Sequence, residues 1–561
     1  MTTFAAIARH GRGWLVVLGL SSLAGTACAL ALPALLGHLV DVLVAGGASG
    51  RWIALAAALI GLAVAADMLE AYCATACVAG TSAWLRHRLV RHILAVSPGD
   101  GRRFDAGDLV TRVSGNTVEA AQAGVAAVTV VAALLPPVGS LALLALIDVR
   151  LAVAFLAGLA LCAVVLRAFT RRTTAAVGGY QHTQGRIAAR LAESLAGRRT
   201  IAAAGTVDAE IDRVLAPLPE LHAQGRRTWQ VLARSVAEAG VAGPLVLVTV
   251  LAIGGLLLVR GRISAGELFA ASQYAVLGAG LGSLTGVFGQ WARARAGARR
   301  VLEVLAVAPP PHGRRRLPDG PGRLVLRGVT VRTDDAVLLS DVDLAVPGGA
   351  AVAVVGPSGA GKSVLAAVVA RLREPDAGEV LLDGVPLATL DPAALRAAVG
   401  CAFERPVLVG ATVADAIGPT LDRERVRAAA EATHAHEFVS RLPLGYDTPL
   451  PDVPLSGGEA QRLGLARAWH ATRLLVLDDA TSGLDMVTEM QIGRALTGDH
   501  GHRTRLIVTH RAATAARADL VVWLDGGRVR GVAPHAALWR EPAYRRIFGG
   551  GDTAAPDGGR S

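Results

Sequence analysis

A single lysine stands inside a glycine-rich segment whose residues could bind phosphate. Lys362 is the only lysine among the 56 lysine and arginine residues of the chain, and the segment around it fits the pattern G-x-x-x-x-G-K-[ST]. Glycines let backbone N–H groups close around phosphate oxygens, and the helix that follows points its positive end at them. A lysine reaches between the β- and γ-phosphates as a compact point charge, whereas a planar guanidinium is larger and demands a fork geometry. The pattern predicts a nucleotide-binding loop of Gly356, Pro357, Ser358, Gly359, Ala360, Gly361, Lys362 and Ser363, with Ser363 as a Mg²⁺ ligand.

Two further polar groups follow apolar runs that predict buried strands. The run Leu474–Leu477 ends at Asp478 and Asp479, as Ala351–Val355 ends at the phosphate loop. A buried carboxylate such as Asp478 needs a partner, and Mg²⁺ with its hydration shell would be one. His510 ends another apolar run and is a candidate hydrogen-bond donor to a γ-phosphate. Alone it would be taken as structural.

Taken in order, the motifs of the C-terminal half resemble the ATP-binding-cassette family. After the phosphate loop come Leu455–Arg462, which reads LSGGEAQR, then Asp478-Asp479, Ser482–Asp485 and Val508–Arg511. The sequence LSGG-x-x-QR after a phosphate loop is the distinguishing mark of that family. The N-terminal half resembles its six-helix exporter-type fold, in which Phe104–Leu109 and Glu193–Gly197 match cytoplasmic helix segments. The resemblance covers nearly the whole chain except the tail.

The resemblance implies a fold class and a set of ligands. The chain is expected to be multidomain, with an all-α six-helix transmembrane exporter-type domain and a cytoplasmic α/β P-loop ATP-binding cassette. ATP and Mg²⁺ are the implied cofactors, and transport-coupled ATPase activity is the implied reaction. One chain supplies six helices and one cassette, which is half of such a transporter, so the resemblance also implies a dimer.

The resemblance further assigns roles to individual residues. Metal ligands would be Ser363, Glu404 and Asp478, while Asp479 and His510 would be catalytic. In the family, the signature serine and second glycine contact the nucleotide held by the opposite subunit. Nucleotide-binding residues beyond the phosphate loop would accordingly be Ser456, Gly457, Gly458, Glu459 and Asp485.

Composition independently indicates a membrane protein. Of the 561 residues, 52% are hydrophobic and 18% are charged. Six apolar stretches in the N-terminal half each approach the ~20 residues that cross a bilayer. They run over about 14–43, 52–82, 120–147, 150–169, 235–259 and 266–291, and the polar segments near 83–119 and 170–234 predict helices that extend into the cytoplasm.

The arginines orient these spans. The net charge of +11 is not concentrated in one basic tail, which argues against nucleic acid as a partner. One side of the predicted bundle carries most of the arginines, and the other has only Arg51, Arg150, Arg260 and Arg262. Because basic residues stay on the cytoplasmic side of the membrane, both termini are expected in the cytoplasm.

The Arg/Ala/Gly bias indicates a bacterium with a GC-rich genome, so the predicted location is the cell membrane.

Domain boundaries follow from the change in pattern. We predict a transmembrane domain over 1–305, a Pro/Arg-rich linker over 306–322, a cassette over 323–548 and a disordered tail over 549–561. Six spans argue against a soluble cassette protein that acts on ribosomes or DNA.

Four positions depart from the family pattern. Asp479 stands where a glutamate normally orients the attacking water, and a misplacement of about 1 Å can cost roughly 10²-fold in rate. The aromatic residue that stacks on adenine falls at about Thr333, so the base would be held less firmly unless Arg332 stacks instead. Glu404 replaces a glutamine, and Thr448–Pro454 lacks the Gly-Glu-Arg-Gly element that usually precedes the signature.

These departures favour the weakened half of a heterodimer. The signature is intact while the chain's own ATP-binding side is altered, so a partner with its own glutamate could form one competent site with this chain. A slow homodimeric exporter, a nucleotide-sensing regulatory subunit and a siderophore-type importer on the same fold remain alternatives.

The cargo is not predicted by the sequence. Asp67 and Glu70 share one helix face in the second span, where they could favour a cationic or amphipathic substrate. Alternatively they hydrogen-bond another helix or lie near the cytoplasmic end of the span. For Gln273 and Tyr274 in the sixth span, packing between helices is favoured over a role in substrate binding. Pro136-Pro137 predicts a kink in the third span. A peptide, lipid, drug or siderophore all fit.

Overall fold

The structure is a computed structural model that describes residues 9–96, 104–279, 282–333, 336–498 and 503–549. The chain divides into two compact units. The first comprises Met1–Arg91 with Asp105–Ala306, and the second comprises His92–Phe104 with Val307–Ser561. The predicted disordered tail lies outside the described residues from residue 550 onward.

The first unit is helical. Its main helices are α1 (Arg12–Val44), α2 (Gly50–Ala95), α3 (Thr117–Ile147), α4 (Val149–Ala196), α5 (Leu218–Val259), α6 (Ala265–Gly278) and α7 (Gly282–Leu305), of which the last residues of α2 group with the second unit. A short helix (Ala106–Thr111) and one π-helical turn (Arg112–Asn116) lead into α3, and two short helices (Arg198–Ala204, Val207–Leu215) join α4 to α5.

Apolar composition and length qualify three helical stretches of the described residues to cross a membrane. These are α1, α2 and the continuous segment Ala106–Ile147, which includes α3. Shorter apolar stretches, Val149–Ala160 and Gly243–Val259, lie within α4 and α5. The predicted sixth span covers α6 and the start of α7, and residues 280–281 between these helices lie outside the described part. The helix α3 continues through Pro136 and Pro137.

A close crossing joins α1 to α6. A Cβ on Gly37 would overlap the carbonyl oxygen of Gly266, so the two backbones touch. Asp41 then accepts hydrogen bonds from Ser264 Oγ at 2.7 Å and from the backbone N–H of Gly266 at 2.8 Å. A carboxylate at a helix N-terminus satisfies donors that the helix itself leaves unpaired. The residue Asp41 therefore fixes the start of α6 against α1.

The candidate polar residues of the spans differ in their surroundings. Asp67 is exposed on the single chain, and Glu70 is half-buried. Tyr274 is buried and donates to the carbonyl of Leu30 at 3.0 Å, whereas Gln273 is exposed.

The second unit contains two sheets. A four-stranded antiparallel sheet has the order β2-β1-β4-β5, and a six-stranded sheet has the order β10-β9-β3-β8-β7-β6, parallel except for β10. The strands are β1 (Leu324–Arg332), β2 (Val337–Val346), β3 (Ala351–Val355), β4 (Ala377–Leu382), β5 (Val385–Pro386), β6 (Val399–Phe403), β7 (Leu474–Asp478), β8 (Thr504–Val508), β9 (Leu520–Asp525) and β10 (Arg528–Ala533).

Three helices of this unit position the site: α8 (Lys362–Val369), α9 (Gly457–Trp469) and α10 (Met486–Gly498). Other helices of this unit cover Pro392–Ala398, Val413–Ile417, Arg423–Ala432, His436–Val439, Ala512–Arg517, His535–Leu538 and Pro542–Arg545.

The sheet register determines which loops meet. Strands β3 and β8 are buried along their whole length, as expected for central parallel strands with near-continuous apolar sequence. Phe403 of β6 pairs with Asp478 of β7, which in turn pairs with Val508 of β8. Ligands in such sheets bind outside the carboxyl ends of the strands. The loops that begin at Glu404 and Asp479 therefore lie side by side.

Candidate nucleotide site

The phosphate loop runs from the end of β3 to the start of α8. Gly359 and Gly361 have φ angles of +81° and +94°, in the left-handed region that favours glycine. A Cβ on Gly356 would overlap the carbonyl oxygen of Leu524, and one on Gly361 would lie 2.8 Å from the carbonyl oxygen of Leu338. The glycines are thus required by backbone conformation and by close packing.

Lys362 lies inside this loop. Its side chain is buried, and Nζ donates to the carbonyl oxygens of Gly356 and Pro357, both at 2.9 Å. Burial lowers the pKa of Lys362, and the negative charges of Asp479 and Asp478 oppose that change. The ammonium is therefore held at the loop, where phosphate oxygens would be stronger partners than carbonyls.

Asp478 and Ser363 form the candidate metal site. Ser363 Oγ donates to Asp478 Oδ1 at 3.0 Å. Burial raises the pKa of Asp478, the Ser363 hydrogen bond opposes this, and the charges of Asp479 and Glu404 raise it further. A desolvated carboxylate beside other carboxylates is stabilised by a divalent cation, and hydroxyl and carboxylate oxygens suit Mg²⁺. The residues present fit the implied metal.

Asp479 occupies a conformation uncommon for residues with a side chain. Its φ is +48°, and its backbone N–H donates to the carbonyl of Val508 at 3.3 Å. Its Oδ2 lies 3.4 Å from His510 Nε2. Burial raises the pKa of Asp479, while His510 and Lys362 lower it. The structure thus brings both predicted catalytic residues together.

Glu404 lies at the same edge of the sheet. Its side chain is exposed, and its charge raises the pKa of both Asp478 and Asp479. Its backbone carbonyl accepts from Gln461 Nε2 at 2.6 Å.

The signature residues form a self-capped helix terminus. Ser456 caps α9: its Oγ accepts from the backbone N–H of Glu459 at 3.3 Å, and Glu459 Oε2 accepts from the backbone N–H of Ser456 at 2.9 Å. The bond from the Ser456 backbone N–H, and a second from Ser456 Oγ to Glu459 Oε2 at 2.8 Å, lower the pKa of Glu459. Gly457 is exposed, and a Cβ there would meet nothing within 4 Å. The N-terminus of α9 is therefore capped by its own residues, and there is open space beside Gly457.

Asp485 begins the next helix. Its Oδ2 accepts from the backbone N–H of Thr488 at 2.9 Å, and this bond lowers the pKa of Asp485. Its expected contact with nucleotide stays a prediction.

Thr333 stands where an aromatic residue was expected to stack on adenine, and its polar groups pair with Ala336. Thr333 and Ala336 exchange hydrogen bonds through their backbones and the Thr333 hydroxyl. Residues 334–335 lie outside the described part. Arg332 has an exposed side chain, while its backbone N–H donates to Asp376 Oδ2 at 2.6 Å. The segment before the signature forms a short 3₁₀ turn at Leu450–Asp452.

Sequence reasoning missed two residues of the site. Gln461 and Arg511 both contact the loop that follows Asp479, since Gln461 Oε1 accepts from Gly483 N–H at 3.0 Å and Arg511 donates to the Ser482 carbonyl at 3.0 Å. Both lie inside recognised motifs, which were the available signal.

Comparison with known proteins identifies the family. A family model described as "ABC transporter transmembrane region" matches residues 15–278, and one described as "ABC transporter" matches residues 339–482. The "ABC transporter ATP-binding protein RamA" of Streptomyces coelicolor is 47% identical over 546 residues, which are 96% of this chain and 86% of that protein.

Two further similarities span most of the chain. The "Mycobactin import ATP-binding/permease protein IrtB" of Mycolicibacterium thermoresistibile is 34% identical over 71% of this chain and 70% of its own length. A solved structure of "a bacterial Atm1-family ABC exporter with ATP bound" has a TM-score of 0.77, covering 96% of this chain and 99% of that one, at 24% identity. It shows the same fold, a helical transmembrane domain joined to an α/β nucleotide-binding domain. The resemblance and the predicted fold class are confirmed, and the chain belongs to the ABC transporter family.

Proposed function

We propose that the chain is one half of a dimeric, ATP-driven membrane transporter whose own ATP site hydrolyses slowly. Asp479 carries the proposal. It sits beside Asp478 and 3.4 Å from His510, where a base would act, but its side chain is one methylene shorter than the glutamate expected there. Its reach toward an attacking water is therefore reduced, and a misplacement of about 1 Å can cost roughly 10²-fold in rate.

The same site supports ATP·Mg²⁺ as the ligand. Lys362 and the loop glycines would hold the phosphates, while Ser363 and Asp478, with Glu404, would hold Mg²⁺. Bound Mg²⁺ would neutralise developing charge on the phosphates. His510 would hydrogen-bond the γ-phosphate, and its position keeps Asp479 oriented.

A heterodimer accounts for the asymmetry between the two halves of the ATP site. The signature Ser456–Gly458 is intact at the N-terminus of α9, where the exposed Ser456 and Gly457 could meet a nucleotide held by another subunit. A partner with a glutamate base would then form one competent site with this signature. A homodimer would combine Asp479 with the signature twice, giving two slow sites.

The membrane unit would carry an unidentified cargo, and both termini of the chain would lie in the cytoplasm. The arginine distribution supports this orientation, which places the cassette with the cellular ATP. Export of a small molecule, peptide or lipid is the proposed direction. A relative named for mycobactin import makes siderophore import the second candidate.

The test is the ATPase rate of the full chain reconstituted alone in lipid nanodiscs, with Lys362→Ala as the control for contaminating activity. We expect nucleotide binding with a rate close to that of the control. If Asp479→Glu raises the rate about tenfold or more, the chain is a slow homodimer with a short base. A robust wild-type ATPase rate that Lys362→Ala abolishes would contradict the proposal that this chain's ATP site hydrolyses slowly.

A regulatory subunit without turnover would differ from a slow half-site in its response to Asp479→Glu, which should not raise the ATPase rate of the complex with its partner. Transport by the complex with its partner would then require ATP binding at this site but not hydrolysis. It would survive Asp479→Asn and be lost in Lys362→Ala. Vesicle uptake of labelled cargo, once the partner is found, measures this.

A further inference from the structure

The signature helix α9 carries a buried glutamine that contacts two loops of the nucleotide site. Gln461 is 5% exposed. Its Nε2 donates to the backbone carbonyl of Glu404 at 2.6 Å and lies 3.4 Å from Ser482 Oγ. Its Oε1 accepts from the backbone N–H of Gly483 at 3.0 Å. One side-chain amide therefore joins α9 to the loop after β6 and to the loop after β7.

The second of these loops is continuous with Asp479. The backbone N–H of Ser482 donates to the carbonyl of Asp479 at 3.1 Å, so the two residues share one turn. On its other side, Arg511 donates to the Ser482 carbonyl at 3.0 Å and pairs with Glu489. The loop is thus held between α9 and the segment that carries His510.

The contact is also tight in shape. A Cβ on Gly483 would lie 3.0 Å from Gln461 Oε1, and a Cβ on Gly458 of the signature would lie 3.4 Å from the carbonyl oxygen of Gly483. Close packing passes small displacements from one element to the next. A movement of α9 must therefore move the loop or break these hydrogen bonds.

An amide is the group that this position requires. It supplies one donor for the Glu404 carbonyl and one acceptor for the Gly483 N–H, and both hydrogen bonds are partly buried. Leucine has a similar volume but neither group. Glutamate keeps the acceptor and loses the donor, so its carboxylate would face the Glu404 carbonyl.

We infer that Gln461 is a positioning residue that couples the two nucleotide sites of the dimer. The inference rests on the proposed function, in which the N-terminus of α9 binds the partner's nucleotide while Glu404 and Asp479 serve the chain's own. Engagement of the signature pulls on α9, and the Gln461 amide carries that displacement to the Glu404 carbonyl and to the loop after Asp479. Each chain's hydrolytic loop is then set only when its signature is occupied.

Hydrogen–deuterium exchange on the dimer that the full chain forms in lipid nanodiscs, with its partner subunit or with a second copy, tests this. Mg²⁺ and a non-hydrolysable ATP analogue are the probe. In the wild type, we expect the analogue to protect the amides of 456–460 and of 480–485 together. In Gln461→Leu, protection of 456–460 remains, whereas protection at 480–485 falls about tenfold because the connecting hydrogen bonds are lost. Equal protection of 480–485 in wild type and variant would overturn the inference.

Two variants separate coupling from a merely structural role. Gln461→Glu, which keeps the bond to Gly483, should lose protection near Glu404 but retain part of it at 480–485, and it provides the test if Gln461→Leu does not fold. Gln491→Leu is the matched control, because Gln491 is exposed on α10. If Gln461 is merely structural, Gln461→Leu should raise exchange in all segments even without nucleotide. Segments 456–460 and 480–485 would then still respond together when the analogue binds.

The response of the wild type shows whether the proposed dimer function or only the coupling role of Gln461 has failed. If the analogue protects the phosphate loop but not 456–460, the signature is not engaged by a second subunit. The proposed dimer function then fails, and the coupling role of Gln461 fails with it. If 456–460 and 480–485 respond alike in wild type and in Gln461→Leu, only the coupling role is wrong.

Discussion

Single residues of the cassette gain their chemistry from burial among like charges. Asp478 and Asp479 follow one buried strand, and burial raises the pKa of each. Lys362 is the opposing cation and is itself desolvated. A site that holds two carboxylates at the mouth of a cationic loop suits a ligand that brings both phosphate and a divalent cation, because each charge is then compensated.

Lys362→Arg should weaken nucleotide binding despite keeping the charge. Nζ occupies a buried position between two carbonyl oxygens at 2.9 Å, and a guanidinium is too large for that space. Losing such charge-assisted hydrogen bonds costs about 1.5–3 kcal/mol each, so we expect affinity to fall by at least about tenfold. Titration with a fluorescent ATP analogue measures it. Arg323→Lys, at an exposed site, is the control, and equal affinity of Lys362→Arg and wild type would contradict the expectation.

The effect of Mg²⁺ should depend on pH through Asp478. Because burial raises the pKa of this carboxyl, protons compete with Mg²⁺ at a higher pH than for an ordinary aspartate near 3.9. Mg²⁺ binding is complete above the raised pKa and is lost as the pH falls through it. For the metal-free protein the sign is reversed: the raised pKa costs stability at high pH, and this cost disappears on acidification.

Thermal unfolding across pH, with ATP and either Mg²⁺ or EDTA, measures this dependence. The stabilisation by Mg²⁺ should shrink on acidification well before pH ~3.9 is reached, and Asp478→Asn should show little Mg²⁺ effect at any pH. A Mg²⁺ effect that stays constant down to about pH 4 would show that Asp478 is not the ligand.

At the scale of elements, backbone contacts fix the membrane helices. Without a hydrophobic driving force between helices in lipid, small residues that let backbones touch and polar side chains that bridge helices supply the attraction. The crossing of α1 and α6 uses both, since Gly37 faces Gly266 and Asp41 binds the first turn of α6.

Gly37→Ala should therefore destabilise the membrane unit. The added Cβ overlaps the carbonyl oxygen of Gly266, and overpacking of this kind typically costs about 1–3 kcal/mol. Gly61→Ala is the matched control on α2, where a Cβ meets nothing within 4 Å and a helix gains about 0.5–1 kcal/mol from alanine. The thermal midpoint of the detergent-purified protein should fall for the first variant and hold or rise for the second. The opposite order would exclude the close crossing.

Site residues that are consecutive in the sequence could be predicted, whereas contacts between residues far apart in the sequence could not. The phosphate loop could be recognised because its glycines, lysine and serine are consecutive, and the structure brings Asp478 to Ser363 as expected. The role of Asp41 depends on Ser264, a residue of another helix, and no local pattern links the two. Gln461 was visible only as part of a motif, because both its partners lie on other loops.

At the scale of the whole molecule, one chain offers two unlike halves of an ATP site. The phosphate loop and Asp479 stand at the ends of the parallel strands, whereas Ser456 caps its own helix and leaves that helix terminus open. Helix N-termini attract anions, so under the proposed function this terminus would face the nucleotide of a second subunit. Turnover would then depend on which subunit supplies the other half of each site.

Paired variants in the purified complex should reveal the partner's nature. In a heterodimer the competent site joins the partner's base to this chain's signature, so Ser456→Arg should lower turnover about 10²-fold by removing a phosphate-binding contact and adding bulk. Asp479→Asn in this chain should leave turnover within about twofold, because the slow site contributes little. In a homodimer every site uses both residues, and both variants would be inactive. Steady-state phosphate release from the complex measures the ratio of the two effects. An Asp479→Asn loss as large as that of Ser456→Arg would therefore assign the chain to a homodimer and make Asp479 a working base.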